Sequence, residues 1–312
     1  MIRSALSLLT LLTLLAAPPP QLLAQAAAAR PASPASAAQA PTAPAASVLR
    51  NEKDSVKFAV IGDSGTGGSA QYEIGRLLSN ARGRFPYEFV IMMGDNLYGG
   101  QGPSDFVKKF ETPYKPILDA GVKFYATLGN HDDPAQRFYK PFNMDGKRFY
   151  NFRKGDVEFF VLDSTYMSPA QVDWLKEALP RSDAKWKIPY FHHPLYSSGA
   201  KHGSEEDLRS LLEPLFVANG VDVVFAGHEH FYERLKPQNG IHYITEGGSA
   251  KLREGNIRVG SAMTAKGFDT DNSFMLVEIA KDQLYFETIS RKGQLVDTGT
   301  LLRREVTGPA TQ

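Results

Sequence analysis

The feature that most constrains the fold of this chain is a series of short apolar runs separated by polar, helix-compatible segments. The runs cover residues 56–61, 88–93, 122–127, 157–162, 186–191 and 221–226. Amphipathic segments lie between several of them, at residues 104–120, 168–179 and 204–219. Continuous apolar strands that alternate with helices are usually buried on both faces. The pattern therefore predicts an α/β sandwich with buried, largely parallel strands.

Beyond Gly240 the apolar runs continue without helical segments between them. These later runs cover residues 241–245, 273–279, 283–290 and 295–301. Because strands joined by short connections pair antiparallel, we expect these C-terminal strands to be antiparallel and to pack on the same core. The chain shows neither an internal repeat nor a second domain boundary.

The first 26 residues have the composition of a secretory signal peptide. Arg3 is positively charged, residues 5–17 are apolar, and residues 24–26 (AQA) supply the small-x-small pattern that signal peptidase requires. The alternative is an uncleaved membrane anchor. However, the apolar stretch is shorter than the ~20 residues that span a bilayer, and prolines follow it at once. We therefore expect an exported protein, periplasmic or secreted, without stable membrane association.

The next segment, residues 27–54, is rich in Ala, Pro and Ser and poor in large apolar side chains. Such a composition cannot offset the entropy of ordering the chain. We predict a flexible linker there, one globular domain over residues 55–305, and a flexible tail over residues 306–312.

Composition excludes several classes of site. The chain has no cysteine, so disulfides and thiolate metal sites are excluded. Lys and Arg together number 35 against 34 Asp and Glu, which gives a net charge of +1. This balance gives no support for nucleic-acid binding, because that binding depends on a basic surface.

The main apolar runs end in short turns that contain Gly, Asp, Asn, Tyr or His. The turns are GDSG at 62–65, GDNLY at 94–98, GNHD at 129–132, HHP at 192–194 and GHEH at 227–230. Six of the seven histidines lie in or just after these turns, and only His242 lies in an ordinary strand. Ligands of open α/β sheets bind at the carboxyl ends of the strands. The turns are therefore expected to form one site.

Each turn taken alone has an ordinary explanation. A Gly-Asp pair is usually a turn or a helix cap, GNHD fits an Asx turn, and HHP fits a buried histidine pair. Together, however, the turns offer carboxylate, amide, phenol and imidazole groups, which bind hard and borderline metal ions. Two such ions held close together can bind both the attacking and the leaving oxygen of a phosphoryl group. The set therefore predicts a dinuclear metal site.

The ordered set GD…GDNLY…GNHD…HxP…GHEH resembles the calcineurin-like metallophosphoesterases. Within them it is most similar to the purple acid phosphatases, especially the small, tartrate-resistant type, over residues 57–303. This resemblance implies a four-layer α/β/β/α sandwich of the metallophosphoesterase type.

One position distinguishes the subfamily. Generic members carry a metal-binding histidine two residues after the first aspartate, where this chain has Gly65. Tyr98, three residues after Asp95, matches the phenolate ligand of the purple phosphatases. The alternative for Tyr98 is aromatic packing against Phe106.

The resemblance also implies a ligand set for two ions per chain. A ferric ion, Fe(III), would be held by Asp63, Asp95, Tyr98 and His230. Asp95 would bridge to a divalent ion, Fe, Zn or Mn, held by Asn130, His192 and His228. His131 and His202 match the histidines that line the substrate pocket. The role of His193 stays open between support of the ligands and contact with phosphate.

The activity implied is that of an acid phosphatase. It would hydrolyse small-molecule phosphate monoesters by in-line attack of a metal-bound hydroxide, and His131 and His202 would stabilise charge and protonate the leaving oxygen. A phosphodiesterase or nucleotide pyrophosphatase on the same scaffold is the alternative, because a fold does not fix the substrate. A non-catalytic metal or phosphate binder is the other. The sequence leaves the oligomeric state open.

Overall fold

The computed structural model describes residues 47–304. The predicted signal peptide, the predicted linker up to residue 46 and the predicted tail lie outside these residues. Thirteen strands occur within the described range: β1 Val56–Ile61, β2 Phe89–Met92, β3 Lys123–Ala126, β4 Tyr150–Lys154, β5 Val157–Val161, β6 Trp186–Phe191, β7 Val223–Ala226, β8 Tyr232–Leu235, β9 His242–Glu246, β10 Thr264–Phe268, β11 Ser273–Ala280, β12 Gln283–Ser290 and β13 Leu295–Leu302.

The helices of the described range are shorter in total than the strands. They are α1 Ser69–Ala81, α2 Pro103–Phe106, α3 Lys115–Asp119, α4 Pro169–Arg181 and α5 Glu206–Ala218. A π-helical turn, Val107–Glu111, joins α2 to α3, and two 3₁₀ turns cover Pro134–Phe138 and Lys140–Phe142. Among the described residues, no helix is both long and apolar enough to cross a membrane.

The strands form two mixed sheets. The first has the order β13-β12-β11-β1-β2-β3, and the second has the order β10-β8-β9-β7-β6-β5-β4. Strands β1, β2 and β3 are parallel to one another, as are β5, β6, β7 and β9. The carboxyl ends of the parallel strands therefore lie along one edge of each sheet, and the polar turns follow them there.

Aromatic side chains fill the space between the two sheets. The ring centroid of Phe58 on β1 lies 5.3 Å from that of Phe159 on β5, and Phe89 on β2 lies 5.4 Å from Phe159. A second apolar cluster on the outer face of the second sheet includes Leu175 of α4 and Leu212 of α5. Residues of α1 and α3 pack on the outer face of the first sheet. These four layers confirm the predicted α/β/β/α sandwich.

Two local predictions were wrong. The run at 241–245 was expected in an antiparallel finish, but β9 pairs parallel with β7 and antiparallel only with β8. The unpredicted strand β8 leads the chain back, so that β9 starts again at the same end as β7. The predicted helix at 104–120 continues from α2 into the π-helical turn but is interrupted before α3, where Pro113 has no N–H for a helical hydrogen bond.

Residues 47–54, predicted as the end of the linker, pack on the first sheet. Leu49 is buried, and the carboxylate of Glu278 accepts hydrogen bonds from the amides of Arg50 (2.6 Å), Asn51 (2.9 Å) and Glu52 (2.7 Å). The packed part of the chain therefore extends before the predicted start at residue 55. The acceptor lies more than 220 positions away in the sequence, so local composition does not reveal it.

Candidate metal centre

Three of the predicted ligands lie in turns with an unusual backbone conformation. The φ angles are +53° at Asp63, +50° at Asp95 and +67° at His228. A left-handed residue other than glycine costs roughly 1–2 kcal/mol, so these turns are held by their surroundings. The amide of Asp63, for example, donates to the carbonyl of Gly94 (3.1 Å), which joins the turns after β1 and β2. Each of the three strained residues directly follows the glycine that comes after a strand, at the point where the polar side chains meet.

One cluster of donor atoms lies at the ends of β1, β2 and β7. The hydroxyl of Tyr98 donates to Asp63 Oδ1 (2.8 Å) and lies 3.3 Å from His230 Nε2. His230 Nε2 also lies 3.4 Å from Asp63 Oδ1. Asp63, Asp95 and His230 each contribute one possible ligand atom, and these three atoms lie within 4.8 Å of one another. This spacing suits four ligands around one ion.

A second cluster lies beside the first, at the ends of β3, β6 and β7. Its centre is His192 Nε2, which is 3.0 Å from Asn130 Oδ1 and 3.1 Å from His228 Nδ1. The same nitrogen lies 3.5 Å from Asp95 Oδ1, so Asp95 belongs to both clusters. The other ring nitrogen of His192, Nδ1, donates to the carbonyl of Met93 (2.8 Å), which leaves a lone pair on Nε2. The structure thus brings two donor sets together around one shared carboxylate.

Among the described residues, no lysine or arginine forms an ion pair with the two carboxylates at this centre, which pair only with His230 and His192. Asp63 and Asp95 are both buried, and Asp95 Oδ2 has no hydrogen-bond partner there. Burial and the charge of Asp95 raise the pKa of Asp63 well above its usual range. An unpaired buried polar atom costs a few kcal/mol, so two adjacent carboxylates are stable here only with a cation or a proton.

The histidines and the tyrosine of the centre offer neutral donors. Burial and the charge of His193 lower the pKa of His192, and burial with the charge of Arg253 lowers the pKa of His230 to about 4. Burial and the nearby Asp63 carboxylate raise the pKa of Tyr98, which therefore stays a phenol unless a cation replaces its proton. Neutral imidazoles, an unpaired carboxylate oxygen and a replaceable phenol proton fit a pair of metal ions.

The structure accounts for the glycine at position 65. A side chain there would overlap the carbonyl oxygen of Asn96 and lie 2.6 Å from the α-carbon of Leu97. The carbonyl of Gly65 also accepts the amide of Tyr98 (2.9 Å). A histidine therefore does not fit at position 65 in this conformation, and the hydroxyl of Tyr98 is the group that lies beside Asp63 and His230. The alternative packing of Tyr98 on Phe106 is not observed: Phe106 packs on Tyr139 with ring centroids 4.1 Å apart, and Tyr98 packs on His131.

Two exposed histidines lie at the rim of the centre. The ring centroid of His131 is 4.9 Å from that of Tyr98, and its amide donates to Asp95 Oδ1 (2.9 Å). The ring of His202 is 4.3 Å from the ring of His228. All nine predicted site residues therefore converge at one edge of the sandwich. Their roles as ligands or acids stay predictions.

Sequence reasoning missed a buried carboxylate that supports the rim. Glu229 Oε1 accepts the amide of Gly203 (2.8 Å), next to His202, and Glu229 Oε2 accepts the side-chain amide of Asn256 (3.0 Å). Glu229 thereby ties the loop that carries His202 to the turn that carries His228. The sequence did contain a signal for Glu229: it is a carboxylate between the two histidines of GHEH, next to a buried strand, where a charged side chain needs polar partners.

A second missed carboxylate joins two of the turns. Asp132 accepts backbone amides from Asn96 (3.0 Å), Leu97 (3.0 Å) and Gly129 (2.8 Å). It thus fixes the turn after β2 against the turn after β3. Asp132 is the last residue of the GNHD motif, so the sequence singled it out. Its hydrogen-bond partners after β2 could not be predicted, because they depend on which strands lie next to each other.

Comparison with known proteins gives matches over most of the domain. A sequence profile described as calcineurin-like phosphoesterase matches residues 56–232. Purple acid phosphatase 4 of Arabidopsis thaliana is 28% identical over 271 residues, which cover 75% of this chain and 80% of that protein. Tartrate-resistant acid phosphatase type 5 of Oryctolagus cuniculus is 27% identical over 237 residues, which cover 62% and 72%.

Among solved structures, a purple acid phosphatase from yellow lupin (Lupinus luteus) seeds has a TM-score of 0.70 to this chain. The two are 18% identical, and the match covers 80% of this chain and 54% of that one. At this level of identity the likeness shows the fold.

Proposed function

The chain belongs to the calcineurin-like phosphoesterase family, and from this premise we propose that it is a dinuclear-metal phosphatase acting on small phosphate monoesters. The observation that carries the proposal is the pair of donor clusters that share Asp95. Relatives named purple acid phosphatase are hydrolases of phosphate esters, and they match most of the domain. A phosphodiesterase on the same scaffold has no specific observation in its favour.

The two clusters differ in their donor atoms, because only the first contains a phenol oxygen, and this difference supports a different metal ion in each. We assign Fe(III) to the cluster of Asp63, Asp95, Tyr98 and His230, because a phenol that gives up its proton suits a trivalent ion. A divalent ion, Fe, Zn or Mn, fits the second cluster of Asn130, His192 and His228, again with Asp95. When bound, the ions would supply positive charge for the phosphoryl oxygens and lower the pKa of a water molecule.

The rim histidines supply the remaining chemistry. His131 lies beside Tyr98 of the first cluster, and His202 lies beside His228 of the second. Burial and the charges of Arg253 and Lys201 lower the pKa of His202. A lowered pKa makes protonated His202 a stronger acid and restricts that form to acidic solution, which supports activity at acidic pH.

The function is tested by metal analysis together with an ester panel. We expect two metal ions per chain, at least one of them iron, and faster turnover of phosphate monoesters than of diesters. Chelation is expected to abolish turnover, and restoring the metals to recover it. Protein that holds both ions yet hydrolyses no phosphate ester would refute the proposal, and one that prefers diesters would replace it with the phosphodiesterase.

The ferric assignment predicts a visible charge-transfer band that depends on Tyr98. The chain has no cysteine, so a phenolate is the donor available for such a band. We expect Tyr98→Phe to lose the band in absorption spectra while it keeps its circular dichroism spectrum, because the ring contacts remain. Tyr166→Phe, at an exposed position, is the matched control and should keep the band. A band that survives in Tyr98→Phe would exclude Tyr98 as the ligand.

We further propose that the protein is exported and that its mature form begins near Ala27. The support is the charged, apolar and small-residue pattern of residues 1–26. N-terminal sequencing of protein from a native-like host should find the new end in the extracytoplasmic fraction. Intact Met1 in the membrane fraction would instead support the anchor.

A further inference from the structure

We propose that His193 is a substrate-binding residue whose Nε2–H donates a hydrogen bond to the phosphoryl group, and that Ser164 fixes it in this form. The inference rests on the proposed phosphatase function. One ring nitrogen each of His192, His193 and His228 lie within 4.8 Å of one another. His193 is therefore close enough to be either a third imidazole ligand or a donor to the bound ester, and its hydrogen bonds decide between the two.

The hydrogen bonds of Ser164 determine where the proton of His193 lies. Ser164 Oγ accepts the backbone amides of His192 (3.2 Å) and His193 (2.9 Å). A hydroxyl group has two lone pairs and one hydrogen, so both lone pairs are occupied. The hydrogen is left for His193 Nδ1, which lies 2.9 Å away. His193 Nδ1 is thus an acceptor, and the neutral ring carries its proton on Nε2.

The adjacent histidine has the opposite arrangement. His192 Nδ1 faces the carbonyl of Met93 at 2.8 Å, and a carbonyl can only accept, so the proton of His192 lies on Nδ1. Its Nε2 lone pair faces the second donor cluster. For His193 to bind a metal through Nε2, its proton would have to move to Nδ1, where Ser164 has no free lone pair. The two neighbouring imidazoles therefore differ in tautomer: His192 can bind a metal ion through Nε2, whereas His193 can donate a hydrogen bond from Nε2.

The position of His193 suits contact with an anion. Its ring centroid lies 4.4 Å from that of His228 and 4.8 Å from that of His192, and the side chain is half-buried. A phosphoryl group near the second cluster would present anionic oxygens on this side. A hydrogen bond to a charged oxygen typically changes affinity by about 10–100-fold.

The test combines inorganic phosphate binding, followed by calorimetry on the metal-loaded protein, with metal analysis. For His193→Ala we expect unchanged metal content and a phosphate Kd that rises about 10–100-fold. His193→Gln, whose amide nitrogen can donate from a similar place, should recover part of the affinity. His242→Gln is the control at the amino end of β9 and should bind phosphate as the wild type does.

Variants at Ser164 test the tautomer separately. Ser164→Thr keeps the hydroxyl and should bind phosphate like the wild type, whereas Ser164→Ala should weaken binding without loss of metal. Loss of one ion in His193→Ala, or an unchanged phosphate Kd in that variant, would overturn the inference about His193. The proposed function would still stand in that case, provided that the wild type turns over phosphate esters. Absence of turnover and of phosphate binding in the metal-loaded wild type would overturn both.

Discussion

The Asp95→Asn variant is expected to lose at least about 10³-fold in phosphatase activity and, in its metal-free form, to be more stable than the metal-free wild type. Metal ions contribute several kcal/mol of charge stabilisation to phosphoryl transfer, and each 1.36 kcal/mol is tenfold in rate. Asp95 is the carboxylate common to both donor clusters, so its loss weakens both. The amide oxygen of asparagine can still accept the hydrogen bond from the amide of His131.

The gain in stability follows from the repulsion between two buried carboxylates. At the effective dielectric constant of protein interiors, two like charges a few ångströms apart cost on the order of a few kcal/mol. Replacing Asp95 removes that cost for Asp63. Because the pKa of Asp63 is raised by burial and by the charge of Asp95, the folded wild type takes up a proton there as the pH falls, and its stability rises in that window. The difference between variant and wild type should therefore be largest at neutral pH and shrink in acid.

Urea unfolding of chelator-treated proteins at neutral and acidic pH measures this difference. Asp183→Asn is the matched control, because Asp183 is an exposed carboxylate paired with Arg153, and its replacement should leave the stability close to that of the wild type. With metals restored the order should reverse, since ions that bind only the folded state stabilise the wild type more. A metal-free Asp95→Asn protein less stable than the wild type would contradict the repulsion between Asp63 and Asp95.

The His202→Ala variant is expected to lose about 10²–10⁴-fold in turnover of an alkyl phosphate and much less with a nitrophenyl phosphate. An alkyl group leaves as a strongly basic alkoxide that needs a proton in the transition state. A nitrophenolate leaves as a stabilised anion and hardly needs one. The ring of His202 lies beside His228, so the protonated form is well placed to deliver that proton.

The comparison is made as kcat with both substrates for His202→Ala and for His131→Ala. The histidine nearer the leaving oxygen should show the larger difference between substrates. His242→Gln, outside the centre, should show no difference. Equal losses on both esters for His202→Ala would assign it to phosphate binding or to loop structure, and the proton would then come from His131 or from water.

The convergence of the site could be predicted because its signals are local. Each polar turn directly follows an apolar run, and parallel strands present their carboxyl ends at one edge. The direction of β9 could not be predicted, because it depends on β8, whose four residues carry little pattern. The role of Ser164 was also invisible, since a serine after β5 belongs to no motif and meets His193 only through sheet pairing.

The packing of Gly65 against Asn96 also restricts how such a centre can change over time. Replacing Gly65 by histidine would introduce the residue that generic members of the family have at this position. However, the side chain has no space unless the turn after β2 moves. With Tyr98 as the ligand proposed above, removing it first would leave the first cluster one metal ligand short. On the proposed ligand set, an evolutionary path between the two kinds of centre would pass through an intermediate with weakened metal binding, and we expect descendants of this lineage to keep Gly65 and Tyr98 together or to lose both.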